Sequence, residues 1–132
     1  LYVDVSSREI LNNLKNYINN DLDLIIDDAS HNLKDILLTL PIFFKKLKKN
    51  GFYVIEDADQ FKVYKELNPT NEKLTPLKIL KNMKNNKKFN SRYLSLNDVD
   101  YLKKNIKKYY FDKGKSIVSG RNISDIIFLQ KK

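Results

Sequence analysis

Asp23-Leu24-Ile25-Ile26-Asp27-Asp28-Ala29-Ser30-His31 and, twenty residues further on, Gly51-Phe52-Tyr53-Val54-Ile55-Glu56-Asp57 carry the reading of this chain. Each stretch is a compact apolar, β-branched run that ends in two adjacent acids. Such a run suits a strand covered on both faces, which is the habit of parallel sheets. Between the two, Leu33, Ile36, Leu37 and Leu40 recur at helical spacing. Pro41 is predicted to kink that helix or to start a new turn, with Phe43, Phe44 and Leu47 continuing its apolar face. Asn50-Gly51 reads as a helix stop. Strand, helix, strand within about 36 residues makes a βαβ unit, and the crossover is expected to be right-handed.

Upstream, Leu1-Tyr2-Val3-Asp4-Val5 suits the end of a strand. Ser6 with Glu9 fits capping-box spacing, and Ile10, Leu11, Leu14, Tyr17 and Ile18 predict a helix over about 7–19. Downstream, Pro76 opens a helix to about Lys84, after which the polar stretch 84–90 reads as loop. Asn97-Asp98 is expected to cap a further helix through about Lys107. Tyr109-Tyr110-Phe111 and Ile126-Ile127-Phe128-Leu129 look like two strands, joined by a connection that contains Gly114 and Gly120, and are expected to pair antiparallel. No internal repeat is present.

At 132 residues the chain has room for one domain and one core. It begins at Leu1, a hint that an upstream portion is missing. It contains no cysteine, which excludes disulfides and thiolate metal sites. No apolar run approaches the roughly 20 residues of a membrane helix, and no secretory signal pattern opens the chain. The expectation is a cytoplasmic protein without a membrane partner. Net charge is +9, unevenly spread: residues 1–61 hold seven Lys/Arg against ten Asp/Glu, and residues 62–132 hold eighteen against six. A basic half attracts phosphate or anionic surfaces. The excess, however, is lysine mixed with asparagine, as in Lys81-Asn82-Met83-Lys84-Asn85-Asn86-Lys87-Lys88, with only three arginines, Arg8, Arg92 and Arg121. Nucleic-acid sites favour arginine forks and stacking aromatics. On sequence, a solvated lysine-rich surface is the preferred reading and no nucleic-acid partner is expected.

In open parallel sheets, ligands bind beyond the carboxyl ends of the strands, where Asp27-Asp28 and Glu56-Asp57 fall. Neighbouring strands lie about 4.8 Å apart, so three or four carboxylates would share one rim. At about 5 Å and an effective dielectric near 20, each like-charge pair costs roughly 3 kcal/mol. Raising a pKa or binding a cation relieves that cost. Oxygen ligands favour a hard divalent ion, Mg²⁺ first. His31, the only histidine, follows Asp28 and is chemically suited to take a proton near neutral pH. On spacing alone, a helix-capping histidine and solvated acidic loops stay open as alternatives.

The two quoted stretches together resemble the "DLIIDDGSH … GGxYVIED" pattern of class I S-adenosylmethionine-dependent methyltransferases. The similarity is to the metal-dependent sugar O-methyltransferases of macrolide biosynthesis and the related cephalosporin hydroxylase-type proteins. It covers about residues 1–60 clearly; the remainder agrees in its order of elements. The resemblance implies that Asp28, Glu56 and Asp57 hold Mg²⁺ and that His31 deprotonates the acceptor hydroxyl. It implies that Asp27 faces the methionine end of S-adenosylmethionine and that Asp4 is a candidate for the adenine end. The reaction implied is methyl transfer to an oxygen of a sugar or other small hydroxylated acceptor.

Ala29 and Asn50 stand where the pattern has glycine. The glycine-rich cofactor loop that follows the first strand in this family has no counterpart, since Gly51, Gly114 and Gly120 are the only glycines. The expected fold is therefore α/β: a partial Rossmann-like methyltransferase sheet, strands 4-5-7-6 of the seven-stranded order, with flanking helices and an antiparallel carboxy-terminal pair. It forms a single domain, residues 1–132, the carboxy-terminal portion of a methyltransferase lacking the amino-terminal loop. The strand at 22–26 should then have one edge uncovered, which invites homo-oligomers, and the chain alone should bind the cofactor negligibly. Two other readings compete: a basic nucleic-acid-binding module using the lysines between Lys62 and Lys115, and a non-catalytic methyltransferase-like remnant. Asp59 and Gln60, which follow the second motif, are further candidates for substrate contact.

Overall fold

The structure, a computed structural model, describes residues 4–62, 64–115 and 122–132, with the side chains of 115, 122 and 123 outside the description. Its elements run α1 (Arg8–Tyr17), β1 (Leu22–Asp27), α2 (Leu33–Phe44), β2 (Leu47–Ile55), two short 3-10 turns (Gln60–Lys62 and Lys65–Leu67), α3 (Pro76–Lys84), α4 (Leu96–Asn105), β3 (Ile106–Lys115) and β4 (Asn122–Lys131). The strands form one sheet in the order β1-β2-β4-β3. β1 and β2 are parallel, while β4 is antiparallel to both of its neighbours. This is the expected 4-5-7-6 arrangement, with the expected antiparallel pair at the carboxy end. Of the strand end expected at Leu1–Val5, residues 1–3 lie outside the described residues, and Asp4 and Val5 are not in a strand; Gly120 also lies outside the described residues.

α2 is apolar on nearly every side because it is wedged between two layers. Leu33, Ile36, Leu37, Leu40 and Phe44 join Tyr53, Ile55, Ile127 and Leu129 of the sheet, with Ile79, Leu80, Met83 and Leu102 from α3 and α4, in the main core. Leu38 and Ile42 face the other way and pack on Leu11 of α1. Pro41 does not end the helix, which runs through to Phe44.

Several local expectations need correction. Ser7, not Ser6, caps α1, its hydroxyl accepting from the Ile10 N–H. The capping box sits instead at α4, where Ser95 and Asp98 exchange bonds two residues before the expected cap, Asn97-Asp98. That helix stops at Asn105, because Ile106 already pairs with Lys131 of β4. Asn50-Gly51 is not a helix stop but lies inside β2, with Asn50 at φ 65. A Cβ on Gly51 would stand 2.9 Å from the Leu22 carbonyl oxygen and 3.0 Å from that of Asp23. Glycine is required there by the close approach of β1, at the register irregularity between Leu22 and Leu24.

β1 is an edge strand. Leu24 and Ile26, on the face away from α2, are 51% and 54% exposed. With Phe52, Val54, Ile126 and Phe128 they line an open apolar groove of about 520 Å³. Among the described residues, no helix is long and apolar enough to cross a membrane.

Candidate metal centre

Parallel pairing brings the ends of β1 and β2 level. Asp27 lies opposite Ile55, and the Glu56 N–H extends the ladder by donating to the Asp27 carbonyl at 3.1 Å. The next residues of both strands therefore leave the sheet side by side. Asp28, His31 and Asp57 each place one ligand atom within 4.8 Å of the others'. The His31 Nε2 stands 3.7 Å from the Asp28 Oδ1, close without being hydrogen-bonded.

Backbone geometry makes this convergence possible. His31 has φ 53 and Asp57 φ 49, in the left-handed region that costs an ordinary L-residue roughly 1–2 kcal/mol. Two of three clustered side chains thus sit on strained backbone, a pattern that concentrates at functional sites. The turn after β1 is tied down locally. Ser30 Oγ donates to Asp35 Oδ2 at 2.7 Å and accepts from the Asn32 N–H at 3.2 Å, while Asn32 caps α2. The turn after β2 is tied to β4: the Asp125 N–H donates to Asp59 Oδ1 at 3.0 Å, and the Ala58 N–H to the Asp125 carbonyl at 2.9 Å. Lys62 Nζ bridges Asp59 at 2.9 Å and Asp125 at 3.4 Å. Burial pushes the Asp59 carboxyl up, but the Lys62 ammonium and the Asp125 N–H outweigh it and leave the group below its ordinary range. Asp59 is thus engaged in holding the loop. Asp125, Lys62 and Ser30 carry no sequence signal of that role.

Asp27 points inward. Its Oδ2 accepts from Thr39 Oγ1 at 2.7 Å and from the Tyr53 hydroxyl at 2.9 Å. Burial raises its pKa, against the lowering effect of both hydroxyls and of His31. Burial, then the neighbouring Asp27 charge, drives the Tyr53 phenol well up in turn. All three side chains line a cleft of about 360 Å³ beside β1, whose other walls are mostly apolar. Thr39 and Tyr53 were not foreseen as site residues; each is one polar group inside an apolar run.

Glu56 and Asp4 stand apart. Glu56 lines the apolar groove on the opposite sheet face. Asp4 is exposed and accepts from the Ser6 N–H at 2.8 Å, a contact that lowers its pKa. The donor set that converges, two carboxylates and an imidazole, fits a divalent cation. At 4.8 Å or less the two acids repel by at least roughly 3.5 kcal/mol at an effective dielectric near 20.

No family profile and no curated protein matches the sequence. Among solved structures, the MycE methyltransferase from the mycinamycin biosynthetic pathway, in complex with Mg and SAH, matches with a TM-score of 0.65 at 19% identity, over 99% of this chain and 31% of that chain. Its complex with Mg, SAH and mycinamycin VI gives a TM-score of 0.64 at 19% identity over the same shares of the two chains. This chain therefore spans about a third of the length of those proteins and shares the fold of that part: four strands of a methyltransferase sheet with the helices of one face.

Proposed function

We propose that this chain supplies the metal-and-base side of an S-adenosylmethionine-dependent O-methyltransferase, acting with Mg²⁺ on a sugar or other small hydroxylated acceptor. The observation that supports it most is the convergence of Asp28, His31 and Asp57 at the carboxyl ends of two paired parallel strands. Asp28 and Asp57 hold the cation, and Glu56, next in sequence to Asp57, can join them only by turning from the opposite face. A bound divalent ion supplies Lewis acidity and a template for neighbouring hydroxyls. His31 takes the acceptor proton, since an imidazole changes charge near neutral pH. Asp27, fixed by Thr39 and Tyr53, offers its carboxylate to the methionine end of the cofactor, and Asp4 is assigned to the adenine end.

On this reading residues 1–132 are the carboxy-terminal portion of the enzyme domain, and the glycine-rich half of the cofactor site comes from outside them. The fold shared with MycE, solved with Mg, SAH and mycinamycin VI, agrees with that division. A cytoplasmic location fits the composition.

Titration of residues 1–132 with Mn²⁺, a paramagnetic substitute for Mg²⁺, tests the centre. The His31 ring and the Asp28 and Asp57 amide signals should broaden first, and Asp28→Asn with Asp57→Asn should abolish the effect. Uniform broadening, unchanged in the double variant, removes the proposal. Calorimetry with S-adenosylmethionine should show negligible binding; micromolar affinity would contradict the division of the cofactor site.

A further inference from the structure

The cations of the second half are gathered, not scattered. Between Glu72 and Asp98 lie seven basic residues and no acid; between Asp100 and Asp112 lie four lysines and no acid. The fold brings the two stretches together, because α3 packs against β3. Lys81 and Lys84 of α3 hold their ammonium groups 5.4 Å and 5.8 Å from the centre of the Phe111 ring on β3. Among the described residues, none of these eleven cations forms an ion pair; the acids pair instead with Arg8, His31, Lys45, Lys48, Lys62 and Lys113. Lys81, Lys84, Lys107 and Lys108 lie together where α3 meets β3, and such a cluster of cations without ion pairs sets up a local positive field.

Beside this cluster is a groove of about 520 Å³ lined by Lys84, Lys107, Lys108, Tyr109 and Tyr110. Tyr110 is 44% exposed, whereas Tyr109 and Phe111 pack toward the core. The groove runs beside β3, the last strand of the sheet, whose outer edge has no strand partner among the described residues. An unpaired strand edge offers backbone N–H donors alongside the ammonium groups. The groove is also remote from the metal centre. Lys108 lies opposite Gln130, which lies opposite Phe52, three residues along and two strands across from the end of β2. That separation is on the order of 14 Å.

We infer that this groove is a docking site for single-stranded nucleic acid, held through its phosphates by Lys84, Lys107 and Lys108, with a base stacked on Tyr110. Charge complementarity selects a polyanion. A concave strip with an aromatic ring suits a narrow strand whose bases are free to stack, and suits a flat bilayer or a base-paired duplex less well. Arg92 is the one arginine among the eleven cations, and forked base-edge contacts are correspondingly scarce. The binding is therefore independent of base sequence. The inference owes nothing to the methyl-transfer reading.

Fluorescence anisotropy of a labelled 20-nucleotide oligo(U) with residues 1–132 tests it across a salt series. Binding should weaken steeply with salt, and Lys84→Glu/Lys107→Glu/Lys108→Glu should flatten the log–log salt slope by about two, at roughly 0.7 per phosphate contact. Tyr110→Ala should weaken binding at least about fivefold with the slope unchanged, and Asp28→Asn should leave it untouched. Inorganic polyphosphate should bind more weakly than oligo(U) and ignore Tyr110→Ala. Equal binding of polyphosphate, of a duplex of the same length, or of anionic phosphatidylglycerol vesicles would overturn the nucleic-acid assignment. So would absence of binding, which would leave the lysines the sole task of keeping a strand edge from pairing. The substituted side chains are exposed, and a circular dichroism melt confirms that each variant is folded.

Discussion

Gly51→Ala should separate the effects of close strand approach from those of chain flexibility. The added methyl carbon would meet three backbone oxygens, of Leu22 at 2.9 Å, Asp23 at 3.0 Å and Lys48 at 3.1 Å. None belongs to a flexible side chain, so the strands themselves must shift by a few tenths of an ångström. Overpacking of this kind costs about 1–3 kcal/mol. Against it stands the gain of about 0.4–1 kcal/mol from a less flexible unfolded chain. Mid-range values leave a loss of about 1.3 kcal/mol, or roughly 4–5 °C in melting temperature for a domain of this size. Urea titration followed by circular dichroism measures it. Asn50→Gly, one residue earlier at φ 65, is the internal control and should be neutral or slightly stabilising. Because Leu22 and Asp23 belong to β1, the shift also disturbs Asp28 against Asp57, and Mn²⁺ affinity should fall with stability. A Gly51→Ala protein as stable as the parent would refute the claim that β1 presses on this position.

The remaining expectations follow from single contacts. His31→Gly relieves about 1–2 kcal/mol of left-handed strain against about 0.4–1 kcal/mol for a more flexible unfolded chain, so it should stabilise the fold by up to about 1 kcal/mol while weakening Mn²⁺ binding; a loss of stability would mean that the ring is needed for packing. Tyr53→Phe deletes one donor to the buried Asp27 carboxylate and should cost roughly 2 kcal/mol at pH 7. Burial places the Asp27 pKa above its unfolded value, so the carboxylate neutralises as pH falls through that raised value and the cost should shrink; a pH-independent penalty would sink the assignment. Asp98→Asn loosens the α4 cap and its ion pair with Arg8. Burial raises the Asp98 pKa, but Arg8 and Ser95 outweigh it and hold the group low. Its contribution, roughly 2 kcal/mol, is therefore present above the unfolded carboxylate value near 3.9 and disappears as pH falls through the folded value. Urea midpoints of the two proteins should converge only in strong acid. Exposed Leu24 and Ile26 beside the open β1 edge should make the chain self-associate, and Leu24→Lys/Ile26→Lys should yield monomer by sedimentation; a monomeric parent at high micromolar concentration contradicts this.

The parts of the fold that announced themselves were those where one face or both faces of an element are uniformly apolar. Apart from the exposed Asp23, Leu22–Ile26 and Phe52–Ile55 are apolar, with α2 on one face and an apolar groove on the other, and Pro76 marked the start of α3 because its φ suits a first turn. The first half of β2 was illegible, since Lys48, Lys49 and Asn50 are exposed and carry no alternation. Lys107 and Lys108 concealed the start of β3 in the same way. In the candidate site, the acids at the strand ends were readable from position alone. Their directions were not, because a left-handed residue at Asp57 turns that side chain toward Asp28 while Glu56 is left facing the opposite groove. Thr39 and Asp125 depend on partners 12 and 66 residues away, Asp27 and Asp59, distances over which no local pattern is informative.

The three converging side chains all come from one supersecondary unit, thirty residues from Asp28 to Asp57. β3 and β4, by contrast, form a hairpin that buttresses this unit from outside, through the pairing of β4 with β2, the packing of Ile127 and Leu129 in the shared core, bonds from Lys107, Gln130 and Lys131 to Asn50, Lys45 and Leu47, and the Asp125–Asp59 tether. The chemistry and its buttress are thus written in separate stretches of chain. Substitutions in the hairpin can drift, or acquire a second use, without rewriting the ligand geometry, as long as β4 keeps its grip on β2.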